Sequence, residues 1–192
     1  MSTKTLQARV RLIVGIAIAW NVVEAAISIW AGHEASSAAL IGFGLDSTVE
    51  VLSAAVVAWQ FSAPDPEQRE AVALKLIAGC FFLLAFYVTF EALTSQPAQH
   101  STIGITITAL SAIVMPALAL WQRRTGQALG SASVIADSKQ RLICAMLSVA
   151  TLAGLVLNSL FGWHWADSVA ALIIAAFAVR EGIEALRGDP CC

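Results

Sequence analysis

Charge is scarce in this sequence: Asp, Glu, Lys and Arg together make up only 12% of its 192 residues. A soluble domain carries about 25%, and a disordered chain combines high charge with few apolar groups, so neither class fits. Net positive charge is missing as well. The formal charge is −2 and the pI about 5.9, which leaves no basic surface for nucleic acid. Cysteine is too sparse for a disulfide-stapled secreted domain: there are four. Cys80 and Cys144 sit inside apolar runs, and Cys191 and Cys192 lie at the C-terminal end. A phosphate-binding loop, an HExxH pair and a nucleophile elbow are all lacking. Neither an enzyme nor a bound cofactor is therefore expected. Apolar residues are what the chain has, at 58% with a mean hydropathy of +0.77. A fold of this size could not hide so much apolar surface from water, which points to an all-α integral membrane protein.

A spanning helix needs about 20 mostly apolar residues. Six stretches meet that length, at 10–30, 38–59, 71–93, 103–121, 132–161 and 165–186. They are unbroken and rich in Ala, Leu and Ile, whereas a transmembrane barrel needs segments of about ten residues that alternate in polarity. The expectation is a single transmembrane domain over 1–192, with short loops and no soluble domain. The charged lead with Lys4, Arg9 and Arg11 precedes an apolar run too long for a signal peptide. Orientation follows from Lys and Arg. The loops at 31–37, 94–102 and 162–164 contain neither, and all eleven basic residues fall on the other side once span edges are included. Both termini are thus expected in the cytoplasm, in a multi-pass protein of a bacterial inner membrane. Trp30, Trp59, Trp121, Trp163 and Trp165 lie near span ends, as an interfacial belt requires, and only Trp20 is deep.

Acidic residues in spans are costly and usually face a bundle interior, where they mark ion or proton paths. Asp46 and Glu50 stand in the middle of the second span in the stretch DSTVE. Their i, i+4 spacing puts both carboxylates on one helix face. Oxygen ligands so placed suit a divalent metal, and the plainer alternative is a polar helix contact with one or both groups protonated. Glu50 lies about 18 Å before Ser62 along the helix axis, at the usual rise per residue. On the fifth span, counted from Ser131, Asp137 lies about 9 Å in, Gln140 about 13 Å and Cys144 about 20 Å. Gln140 and Cys144 are again four apart, so two polar pairs can face each other at similar depth. In a higher register Gln140 would reach the membrane edge, and Asp137, Lys139 and Arg141 would be interfacial charges. Cys144 can equally pack as a small apolar residue, and Gln140 can bond between helices. Asn21 and Glu24, three apart on the first span, can form a supporting hydrogen-bond network or a proton step. Glu91 is placed near water at the end of the third span, and Asp167 suits the dipole at the start of the sixth helix. His33, His100 and His164 lie on or beside the outer loops. Cys80 is read as packing. Cys191 and Cys192 could hold a soft metal, carry a lipid or do nothing.

Two stretches carry a family resemblance: NVVEAAISIWAGHEASSAALIGFGLDSTVEVLSA, and ADSKQRLICAML followed by FGWHWADSVAALIIA. They make the chain resemble the transmembrane domain of the cation diffusion facilitator (cation efflux) family over nearly its whole length. The resemblance implies six helices with both ends cytoplasmic. It also implies homodimers that export zinc and related divalent metals in exchange for protons. The family site has two acidic residues four apart on the second helix, matched by Asp46 and Glu50. It also has a His or Asp pair four apart on the fifth. Aligning on Ala136-Asp137 and Ala166-Asp167 puts Gln140 and Cys144 there, neither of them the usual type. A thiolate would shift preference toward zinc or cadmium over magnesium or manganese. The family's common cytoplasmic metal-sensing domain has no counterpart in these residues, so dimerisation must rely on the membrane part or be lost.

The functional expectation is a divalent cation transporter with zinc-like substrate, working by alternating access in exchange for protons. Asp46, Glu50, Gln140 and Cys144 would hold the metal, with Asn21, Glu24 and Asp137 as support or proton path. The partners are the cation, protons, the lipid bilayer and a second copy of the chain, with no nucleic acid. Two alternatives use the same acids: a proton-coupled transporter of a small organic cation, and a non-transporting membrane adaptor.

Overall fold

The computed structural model describes residues 3–62 and 67–187. Six helices follow one another: α1 (Thr3–Ala35), α2 (Ala38–Phe61), α3 (Glu67–Thr94), α4 (Thr102–Leu129), α5 (Ala132–Phe161) and α6 (His164–Arg187). Among the described residues there is no strand. α2, α3, α5 and α6 each pack against the helix before them, whereas α4 packs against α1 and α5.

The helices outrun the apolar stretches that announced them. α1 begins seven residues before position 10, and α4 continues past Trp121 through Arg123 and Arg124 to Leu129. Backbone hydrogen bonding does not stop where hydropathy falls, so the apolar run marks the bilayer portion and the caps mark the ends. Ser101 closes the start of α4 by accepting from the Gly104 amide at 3.1 Å. Gly130 and Gly162 end α4 and α5 in the left-handed conformation, with φ of 64° and 67°, a region that costs glycine least.

Five helices, α1 to α5, are long and apolar enough to cross a membrane by length and composition. α6 carries Asp167, Arg180, Glu181, Glu184 and Arg187 in its 24 residues. Two of its acids, Asp167 and Glu181, point into the bundle, while Val169, Leu172, Ile173, Val179, Ile183 and Leu186 lie exposed. The outer face of α6 is therefore largely apolar along most of its length. The same inversion holds elsewhere: Phe86 on α3 is 73% exposed and Leu160 on α5 72%. Large apolar groups on the outside and polar groups inside are what lipid demands.

α2 is the central helix, packed against α1, α3, α5 and α6. Glycine brings it close to α1: a Cβ on Gly44 would stand 2.9 Å from the backbone nitrogen of Ile29. Small residues that let backbones approach are the usual means of helix association in lipid. Gly154 does the same for α5 and α6, where a Cβ would meet the Ala170 Cβ at 2.9 Å.

Asp167 acts across helices. It lies in the first turn of α6, but its carboxylate accepts from the Ser37 hydroxyl at 2.5 Å and the Ala39 amide at 3.2 Å. It thus completes the N-terminal cap of α2 and ties α6 to it. Trp30, Trp59, Trp121, Trp163 and Trp165 are all more than a third exposed. Cys80 is half-buried and packs against the apolar cluster of α2, α3 and α6. Cys191 and Cys192 lie outside the described residues.

Candidate metal centre

α2 carries Asp46 and Glu50 toward α5, and α5 presents Cys144. The carboxylate oxygens of the two acids and the Cys144 sulfur all lie within 4.8 Å of one another. Metal bonds of about 2.0–2.3 Å to oxygen and sulfur span ligands up to about 4.5 Å apart, so a small contraction suffices to grip an ion. Asp46 is 6% exposed and Cys144 1%, while Glu50 is half-buried, so the centre is largely shielded from bulk water and reaches it through Glu50. Met115 of α4 and Ala145 pack around Cys144 and exclude water from it.

The carboxylate of Glu50 is oriented by two neighbours. Asn21 of α1 donates from Nδ2 to its Oε2 at 2.6 Å, and the Cys144 thiol hydrogen-bonds to it. Asn21 thus stands directly behind a candidate ligand, while its own Oδ1 is buried without a partner.

Glu24 is fully buried and saturated. Its Oε1 accepts from the Ser47 hydroxyl at 2.5 Å, and its Oε2 accepts from Trp20 Nε1 at 2.8 Å and from the Ser111 hydroxyl. These bonds lock α1, α2 and α4 together. Glu24→Ala leaves the donors of Trp20, Ser47 and Ser111 without their carboxylate. Each orphaned buried group costs about 1–3 kcal/mol, and Trp20 also reaches Ser111 at 3.3 Å, which softens the loss. A destabilisation of about 3 kcal/mol is expected. Thermal unfolding of the purified protein measures it, and an unshifted midpoint would contradict a structural role for Glu24.

The two remaining candidates on α5 have hydrogen-bond partners of their own. Gln140 hydrogen-bonds to Glu181 of α6, so its amide is engaged across the α5–α6 interface. Asp137 accepts from Gln122 Nε2 of α4 and pairs with Arg141 at 3.0 Å. Arg141 in turn donates from Nε to Gln122 Oε1 at 2.5 Å. This triad closes the α4–α5 end of the bundle. Arg141 is only 9% exposed, so protein rather than water surrounds it, and its field reaches Glu50.

His100 and His164 serve the loops. His100 bonds Ser159 at 2.8 Å and Thr102 at 2.9 Å, and His164 bonds the Ala98 carbonyl at 3.2 Å.

Glu181 was missed by the reading of the sequence. It stands near the charged end of α6, where Arg180 and Glu184 disguise it as a membrane-edge residue. A signal was present. Asp167, Ala170, Ala171, Ile174, Ala178 and Glu181 recur at helical spacing and all are buried, so the inward stripe of small residues runs straight into Glu181.

Comparison with known proteins agrees with this architecture. Over 108 residues the chain is 33% identical to the cation-efflux pump FieF of Shewanella oneidensis, covering 56% of this chain and 36% of that protein. It is 28% identical over 116 residues to a cadmium, cobalt and zinc/H(+)-K(+) antiporter of Bacillus subtilis, covering 59% and 37%. An uncharacterised transporter of Synechocystis is 28% identical over 169 residues, covering 79% and 53%. The chain thus matches between about a third and a half of the length of these relatives. The family model of the cation efflux transmembrane domain matches residues 14–188. With that match over nearly all of its helices, the chain belongs to the cation efflux family.

Proposed function

We propose that this chain carries a divalent cation across a bilayer, with zinc and cadmium preferred over harder ions. The observation that supports it most is the meeting of Asp46, Glu50 and Cys144 at one buried point between α2 and α5. Two carboxylates supply charge, and a thiolate supplies a soft donor. A thiol beside paired carboxylates favours a metal over a small organic cation, which gains nothing from sulfur. The printed name of the Bacillus subtilis relative, a cadmium, cobalt and zinc antiporter, supports the same class of substrate.

In this reading the cation enters from the cytoplasm, exchanges onto Asp46, Glu50 and Cys144, and is released outside, where protons take its place. Paired acids in low dielectric exchange a cation for protons readily, because one site cannot hold both charges unshielded. Since Asp46 and Cys144 are buried, each cycle requires the helices around α2 to open on one side at a time. In the same reading six crossings bring both termini to one face, and the excess of basic residues on that side supports the cytoplasm of a bacterial inner membrane. Two copies of the chain form the working unit.

The test is uptake into proteoliposomes loaded with a fluorescent metal indicator. Zinc and cadmium should enter faster than manganese or magnesium, and a pH gradient of the correct sign should accelerate both. Equal rates with empty liposomes would leave the chain an assembly protein whose acids specify helix pairing.

A further inference from the structure

The geometry points to a second cation-binding station at Glu181, shared with Gln140, one helical turn from the Asp46, Glu50 and Cys144 centre. It rests on the transport reading of that centre. Glu181 of α6 is 5% exposed, and its Oε1 has no hydrogen-bond partner. A buried carboxylate oxygen without a donor is costly, and a cation is the group that satisfies it. The Gln140 amide already touches Glu181 and can present its carbonyl oxygen as a further ligand. One turn along α6, Glu184 bonds Arg180 at 2.7 Å through Oε1 and leaves Oε2 buried and unpartnered. Glu181 is close enough to act on Asp46 electrostatically, and α6 packs against both α2 and α5.

Gln140 is four residues from Cys144, which places the station about 6 Å nearer the start of α5. The negative charge that Gln140 lacks is supplied across the helix interface by Glu181. An all-oxygen site of this kind takes divalent cations more weakly and less selectively than one containing a thiolate. A cation resting there stands within one short step of Asp46, so the station loads the inner centre.

Cadmium binding to the purified full chain tests this with two readouts, in a background with Cys191→Ser and Cys192→Ser that removes the terminal thiols and serves as wild type. Equilibrium dialysis counts total cadmium, and ultraviolet thiolate-to-cadmium absorption reports the centre containing Cys144. Wild-type protein should bind about two equivalents, and Glu181→Gln about one, as expected when one oxygen-ligand site is removed. The absorption should persist in Glu181→Gln, which also shows that the variant is folded. Unchanged total binding in Glu181→Gln overturns the station. The double variant Asp46→Asn with Cys144→Ser should lose the absorption yet retain about one equivalent, held by Glu181. Complete loss of binding in that variant overturns the station and spares the inner centre. Absence of the absorption in wild-type protein overturns the inner centre, and the comparison of total binding still decides the station.

Discussion

Asp46→Asn is expected to abolish cation transport in proteoliposomes while leaving the bundle folded and at least as stable as wild type. Asp46 and Glu50 share one helix face and lie with Cys144 inside a 4.8 Å cluster. In the metal-free protein this is a cost, since two acidic groups crowd a site largely shielded from water. Asn keeps the shape and removes the charge, so folding gains where binding loses. The same variant should lose the protection that metal gives. A ligand at one hundred times its Kd stabilises the folded state by about 2.7 kcal/mol. Zinc should therefore raise the thermal midpoint of wild-type protein and raise that of Asp46→Asn much less, by what the weaker Glu181 station alone contributes. Wild-type transport rates in Asp46→Asn would sink the assignment. A collapse of stability would instead make Asp46 a structural residue.

Changes at Cys144 should alter which metal is carried. The sulfur is the one soft donor in the described cluster, and Met115 and Ala145 keep it dry. Cys144→Ala should weaken zinc and cadmium binding at least about tenfold, equivalent to about 1.4 kcal/mol, with a smaller effect on manganese. Cys144→Asp replaces sulfur by oxygen and should move preference toward harder ions. If Cys144 served packing alone, Ala would be nearly silent and Asp would disrupt the bundle, because an added carboxylate would be buried without purpose. Affinities for zinc, cadmium and manganese in both variants decide between these. Unchanged zinc and cadmium affinity in Cys144→Ala removes the thiol from the site.

The amino-acid sequence by itself determined that the chain is helical, apolar and organised in six segments. The reason is that the bilayer leaves little choice: about 20 apolar residues in a row must form a helix to satisfy their own backbone. It also determined that Asp46 and Glu50 share a face, since the period of one helix fixes that without reference to any other. It placed Cys144 near their depth by counting rise per residue.

Only the tertiary structure decided which way each inward residue turns. Gln140 and Cys144 lie on one face of α5, yet Gln140 bonds Glu181 on α6 while Cys144 joins the α2 acids. That division depends on where α6 crosses α5, a relation between segments far apart in the chain. Asp167 likewise looked like a cap for its own helix, but its oxygens meet Ser37 and Ala39 of α2. Arg141 looked like an edge charge and is buried with Gln122 and Asp137. Local periodicity assigns a residue to the inside of the bundle. The neighbour it finds there is set by helix crossings, and these are set by close approaches such as that of Gly44 to Ile29, which no single segment encodes.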